Sequence, residues 1–210
     1  GDGWIRLVPD AREVPGVTGA AGIAAGVGVS FAWRQDGSVL AWGSNAGGLL
    51  GNGTTADRAA PRPIVGLTGI TAVATGQPNT SEDNVIEPGT NQFRTTATQR
   101  HALAVDAAGE VWAWGRNRFG QLGDGTTTDR LRPVRIDVPG TVTAVAAGGT
   151  HSLALTSTGD VFAWGYDNWG QIGDGRTGLD VTQLTPRRVE GLPAIAQVAG
   201  PPALRRREPG

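Results

Sequence analysis

Val161-Phe-Ala-Trp-Gly-Tyr-Asp-Asn-Trp-Gly-Gln-Ile-Gly-Asp-Gly175 restates Val111-Trp-Ala-Trp-Gly-Arg-Asn-Arg-Phe-Gly-Gln-Leu-Gly-Asp-Gly125 fifty residues further on, and Val39-Leu-Ala-Trp-Gly-Ser-Asn-Ala-Gly-Gly-Leu-Leu-Gly-Asn-Gly53 is a third copy. The chain is a repeat array. A period near 50 is too long for heptads or leucine-rich repeats and suits one four-stranded blade of a β-propeller. Fold and function are therefore read per repeat and then around a ring.

The pattern inside one copy is that of short strands. Thr143 to Gly148 is a small-residue strand, His151 to Leu155 a second, Val161 to Trp164 a third. Gln35-Asp-Gly-Ser38, Ala107-Ala-Gly-Glu110 and Ser157-Thr-Gly-Asp160 join second to third strands, each with Gly at the place where a short hairpin loop needs a left-handed residue. A fourth, proline-led strand follows at Pro61 to Ile64, Pro133 to Ile136 and Pro186 to Val189, and Pro belongs at a strand start or a sheet edge. The Trp-to-Pro distance is 19, 19 and 22 residues, so the last loop carries three extra.

Alternation along the third strand sorts the faces. Leu40 with Trp42, Trp112 with Trp114, and Phe162 with Trp164 lie on one side, and Ala41, Ala113 and Ala163 on the other. A bulky face over a thin one suits neighbouring blades packed face to face. Both ends of the chain cut across a repeat. The units are a partial one at 1–16, repeats at 17–66, 67–138 and 139–191, a partial one at 192–200, and a Pro/Arg tail at 201–210 that reads as solvated.

Composition removes several function classes. The net charge of −1 gives no reason to expect nucleic acid or an acidic membrane surface. Without Cys there is no disulfide framework, thiolate metal site or Cys nucleophile, and no apolar run reaches the length of a membrane span. Glycine, at 34 residues, recurs at matched repeat positions and so marks turns. All 18 basic residues are Arg, which with the abundant Ala and Gly looks like a chain encoded by GC-rich DNA; the expectation for its source and compartment leans to bacterial and secreted.

Ala-Trp-Gly-x-Asn-x-x-Gly-Gln-Leu-Gly-x-Gly, preceded by Ala-Ala-Gly-x-x-His-Ser-Leu-Ala-Leu and followed by Pro-x-x-Val, resembles the repeat of the regulator of chromosome condensation family over about residues 1 to 200. The first copy is looser, with Val29 where His101 and His151 stand and Leu49 where Gln121 and Gln171 stand. The resemblance implies an all-β propeller, usually of seven blades, of which this chain would hold three repeats plus partial units. It also implies activity through protein recognition: nucleotide exchange on a small GTPase with nucleosome binding in the founding member, other partners elsewhere in the family. Seven blades of this length need about 350 residues, so such a ring would be completed by flanking sequence or by self-association of the chain.

Candidate sites follow from where the repeats differ. Trp42 and Trp114 are 72 residues apart, which places 22 extra residues at Gln77 to Thr98. The insert is polar, with Glu82, Asp83 and Glu87 against Arg94, and Val85, Ile86 and Phe93 as apolar anchors. Long loops on rigid scaffolds tend to carry function, and they also lengthen at little thermodynamic cost. Within the shared loop after the third strand, Arg116 and Arg118 become Tyr166 and Asn168 in the next copy, and Arg and Tyr are favoured interface anchors. Phe119 and Trp169 share one position and read as packing.

The remaining candidates read as structural. His101 and His151 occupy matching places on separate blades, which argues against a shared metal ion and for hydrogen bonding to a glycine-rich loop; Trp42, Trp114, Trp164, Gly123 and Gly173 are likewise scaffold positions. Gly123-Asp-Gly125 and Gly173-Asp-Gly175 lack the P-loop Lys and the EF-hand spacing, and Ser152 beside His151 points to the opposite face of its strand. No catalytic residue, metal or cofactor is expected. The leading reading is a non-catalytic scaffold that binds a protein through rim loops. Exchange activity on a small GTPase and a structural segment of a larger secreted or surface protein are the alternatives.

Overall fold

Each copy of the repeat folds as one four-stranded antiparallel sheet. The first holds β1 (Ala20–Gly26), β2 (Val29–Arg34), β3 (Val39–Gly43) and β4 (Arg58–Pro63) in sequence order. The second opens with β5 (Ile70–Thr75). After a separate hairpin of β6 (Asn84–Ile86) and β7 (Phe93–Thr95), it resumes as β8 (His101–Asp106), β9 (Val111–Gly115) and β10 (Arg130–Ile136). The third holds β11 (Val142–Ala147), β12 (His151–Thr156), β13 (Val161–Tyr166) and β14 (Thr182–Arg188). A last pair, β15 (Ile195–Ala199) and β16 (Ala203–Arg206), follows. The computed structural model describes residues 13–76, 100–178 and 181–198, and the backbone of 84–86, 93–95, 199 and 203–206.

The sheets are blades arranged about an axis. β5 touches both β1 and β11, and β11 touches β15, so the first strand of every unit lies innermost and the fourth lies at the rim. The glycine expected in each second-to-third-strand turn shows why it is there. Gly37, Gly109 and Gly159 have φ of 75°, 81° and 86°, a region that costs other residues strain. Their carbonyls accept the N–H of Ile70, Val142 and Ile195, each at 3.1 Å, so every hairpin tip is stitched to the first strand of the unit that follows. The third stitch makes β15 the inner strand of a fourth unit. Its partner β16 falls inside the segment read from sequence as a solvated tail.

Apolar faces meet as the alternation implies. Val29, Phe31, Val39 and Ala41 of the first blade form one cluster with Ala102, Ala104 and Trp114 of the second. Leu103, Val105, Val111 and Ala113 of the second meet Ala147, Ala154, Phe162 and Trp164 of the third. Ala41 and Ala113 of the third strands thus pack in one cluster with the large ring of the next blade, and Trp114 and Trp164 are completely buried. Phe31 meets Trp114 edge-on, with ring centroids 6.0 Å apart. β1, with no blade before it among the described residues, leaves Ile23 exposed, and Trp42 is half-buried.

The proline-led strand needs correcting. The fourth strands begin earlier, at Arg58, Arg130 and Thr182, so Pro61, Pro133 and Pro186 fall inside them. The register shifts there: Gly43 faces Arg58 while Ala41 faces Arg62, and the same slip separates Arg130 from Val134 and brackets Pro186 on β14. A bulge on an edge strand is where a residue without a backbone N–H is tolerated, because no ladder donor is demanded of it.

Candidate functional site

The loops that follow β3, β9 and β13 share one architecture, built on a buried side chain three residues after the tryptophan. Asn45, Asn117 and Asp167 are fully buried. Their Oδ1 atoms accept the N–H of Leu50, Leu122 and Ile172 at 2.8, 2.9 and 2.8 Å. Asn117 Nδ2 donates to Asp124 Oδ1 and to the Thr126 carbonyl, each at 3.0 Å. Asp124 also takes Arg130 Nε at 2.7 Å. Burial opposes its ionisation, but the bonds from Thr126 and Arg130 outweigh that and hold the carboxyl below its ordinary range. The Asn or Asp at this position was visible in the repeat, yet nothing in one dimension shows that it is the keystone of its loop.

The first two loops also dock on the next blade. The N–H of Gly53 donates to the Leu131 carbonyl at 2.7 Å, and that of Gly125 to Leu184 at 3.0 Å. The indole N–H of Trp114 donates to the Leu49 carbonyl (2.7 Å) and that of Trp164 to the Gln121 carbonyl (2.9 Å). A Cβ at Gly123 would lie 2.7 Å from the Trp164 ring nitrogen, so only glycine lets the indole approach. Gly173 keeps the same left-handed turn, with φ of 72°.

The histidine of the second blade takes part in this seam. His101 Nε2 lies 2.7 Å from Ser152 Oγ on the third blade, and that hydroxyl donates to the Gln121 carbonyl at 2.7 Å. The carbonyl can only accept, so the hydroxyl proton is committed to it and the imidazole Nε2 must carry the proton it shares with Ser152. This is the reverse of a base activating a nucleophile, and both side chains are sealed from solvent. Burial, helped by the nearby His151, pulls the His101 pKa down to about 3. The His151 ring lies against Gly148, where a Cβ would meet it at 2.3 Å. Among the described residues no group of three or more His, Asp or Glu is placed to hold a metal, and no helix is long and apolar enough to cross a membrane.

The rim of the second and third blades gathers several of the sequence-derived contact candidates. In an antiparallel blade the first-to-second and third-to-fourth connections leave from one end, so Gly76 and Arg100, on either side of the insert, lie at the end that carries the Arg116 loop. Arg100 touches that loop, since Arg116 N–H donates to the Arg100 carbonyl at 2.9 Å. Phe93 and Arg94 stand on β7, opposite Ile86 and Val85. Glu82, Asp83 and Glu87 lie outside the described residues. Arg116 lies over Gly47 of the first blade and pairs with Asp129 at 2.7 Å, while the Arg118 guanidinium sits 5.8 Å from the Phe119 ring centroid.

Two aromatic expectations are exchanged. Tyr166, expected as an interface anchor, is 5% exposed and packs on Phe119 with centroids 4.7 Å apart. Trp169, expected as packing, is 68% exposed. The covering residue comes from the next blade: Arg116 covers Gly47, Tyr166 covers Phe119, and no described residue stands in that place over Trp169. Position in the repeat alone could not show this, because exposure depends on the following unit.

Comparison with known proteins fits this architecture. The model for the regulator of chromosome condensation (RCC1) repeat matches residues 36–80, 108–155 and 158–200, and a second RCC1 repeat model matches 142–171. The ultraviolet-B receptor UVR8 of Arabidopsis thaliana is 36% identical over 128 residues, which cover 60% of this chain and 24% of the receptor. Human protein RCC2 is 43% identical over 115 residues, 54% of this chain and 18% of that protein. The yeast RCC1 (Prp20) structure, solved bound to Kap60, aligns with a TM-score of 0.68 at 24% identity over 89% of this chain and 41% of that chain. At that identity the likeness establishes the β-propeller fold alone. The chain spans a quarter or less of these two curated relatives. Both are eukaryotic, so the expectation of a bacterial, secreted protein finds no support.

Proposed function

Because the chain belongs to the regulator of chromosome condensation repeat family, we propose that it is a non-catalytic scaffold that binds a protein partner through the rim loops of its second and third blades. The observation that carries this reading is Arg118, exposed 5.8 Å from the Phe119 ring centroid on a loop whose backbone is already fixed. The Phe119 N–H donates to Gln121 Oε1 at 2.9 Å, and Gly123 N–H closes back on the Gly120 carbonyl at 3.0 Å. An arginine presented from a fixed backbone has less entropy to lose on binding, and Arg is among the residues that anchor protein interfaces. Arg116 and the Gln77 to Thr98 insert extend the surface along the same rim. The relatives support regulation by protein recognition: one is a receptor, and yeast RCC1 is seen in complex with Kap60.

The test is affinity capture with the 210-residue chain, Arg118→Ala, and a form lacking residues 77–98. A protein retained by the parent chain and lost from both variants, with melting of Arg118→Ala unchanged, supports the reading. Equal retention by all three overturns it. Stimulated nucleotide release from a panel of small GTPases would instead favour exchange activity.

A further inference from the structure

The three rim loops differ in charge at their buried centre. In the first, Asn45 Nδ2 donates to the Thr54 carbonyl at 2.9 Å, the Ala56 carbonyl at 3.0 Å and Asn52 Oδ1 at 3.3 Å. In the second, Asn117 Nδ2 donates to Asp124 Oδ1 and the Thr126 carbonyl. In the third, the side chain at this place is Asp167, and Asp174 stands where Asn52 and Asp124 stand. The acidic count at the keystone and its facing residue therefore rises from none to one to two.

An oxygen has replaced a donor. Asp167 Oδ1 still accepts from Ile172, but Oδ2 is buried without a hydrogen-bond partner among the described residues. The place it fills corresponds to an amide nitrogen ringed by oxygens in the other two loops. A bare carboxylate there would face oxygen atoms with nothing to donate, at a cost that burial makes large. One proton removes the conflict.

We propose that Asp167 and Asp174 share a single proton, which closes the third loop as the Asn amide closes the first two, and that its loss on raising the pH loosens the loop carrying Trp169. Among the described residues the charged groups facing the pair are Arg176, in the same loop, and Arg187, from β14. Arg176 forms an ion pair and hydrogen bonds with Asp174, and Arg187 Nη1 reaches Asp174 Oδ2 at 2.9 Å. The Arg176 bonds, against some desolvation, hold Asp174 below the usual carboxylate range and make it the acceptor. Burial first, and then the negative charge of Asp174, push Asp167 up, so the proton resides there.

The sign of the linkage is opposite to that of an ordinary salt-bridged aspartate. A carboxyl whose folded pKa is raised binds its proton more tightly than the unfolded chain does. Its contribution to stability is complete below the ordinary aspartate value of about 3.9 and is lost as pH rises through the elevated one.

Carbon-detected NMR titration of the aspartate carboxyls reads this directly in the full chain. The Asp167 carboxyl is expected to titrate above the aspartates of the unfolded chain, and hydrogen exchange at the Trp169 and Ile172 amides to accelerate across the same pH range beyond the ordinary base-catalysed rise. Asp167→Asn, which supplies the missing donor, is expected to remove that acceleration and to raise the melting temperature at pH 8. Asp174→Asn is expected to bring the Asp167 titration back down. An Asp167 titration at or below the unfolded-chain value, or Asp167→Asn melting below the parent chain at pH 8, overturns the proposal.

Discussion

The seam between the first and second blades and the seam between the second and third are built on the same frame with different chemistry at one point. Both bury a tryptophan whose indole N–H donates to a carbonyl of the preceding loop, at 2.7 Å in one and 2.9 Å in the other. Beside it the second seam has His101 bonded to Ser152, and the first has Val29 and Ala102 at the matching places. The two members of the pair are exchanged together. A buried polar pair is worth little net, whereas half of one leaves an unsatisfied group inside, so only the double exchange is neutral. The seams teach that the Trp–carbonyl bond defines the repeat and that the neighbouring pair is free to be polar or apolar as a unit.

That comparison can be broken most forcefully at the tryptophans. Trp164→Ala should cost about 3–5 kcal/mol in chemical denaturation, as for other large buried aromatics, and Trp42→Ala distinctly less because Trp42 is only half-buried. Equal losses would mean that the two indoles are not held by the same seam geometry. A smaller effect separates the polar pair: Ser152→Ala alone should cost about 1–3 kcal/mol by stranding the His101 ring, and adding His101→Val should recover much of it by recreating the first seam. A double variant as unstable as the sum of its parts would refute joint exchange.

Acid denaturation sharpens the same contrast. His101 is held neutral with a pKa of about 3, so the unfolded chain takes up its proton first. The stability this buried histidine permits is present above about pH 6.5, its ordinary value, and declines as pH falls toward 3. His101→Val with Ser152→Ala should flatten the denaturation midpoint across that window, and an unchanged slope would show that the acid sensitivity lies elsewhere. The smallest effect is expected at the exposed end of the series, where Trp169→Ala should shift stability by no more than about 0.5 kcal/mol, in contrast to Trp164→Ala.

Much of the blade was readable in one dimension because its signals are local. A glycine third in a short loop, alternation across a strand, and a tryptophan against an alanine each depend on residues within a few positions, and the same reading returned at each copy. The fourth strands were misplaced because proline marks a bulge only when the edge and its partner are both known. The candidate site was less legible. Arg116 and Arg118 came from comparing copies, but Tyr166 and Trp169 exchanged burial because each is covered, or left bare, by the blade that follows.

By itself the sequence determined that the chain is an array of β-blades, which residues are repeated, and which loops depart from the pattern, since periodicity and turn chemistry are written in neighbouring residues. Tertiary structure alone decided the contacts that join units. His101 meets Ser152 across 51 positions, and Trp164 finds the Gln121 carbonyl across 43. Hydrogen-bond partners and burial are properties of the distance between atoms in space, and only the packing of one blade on the next brings those atoms together.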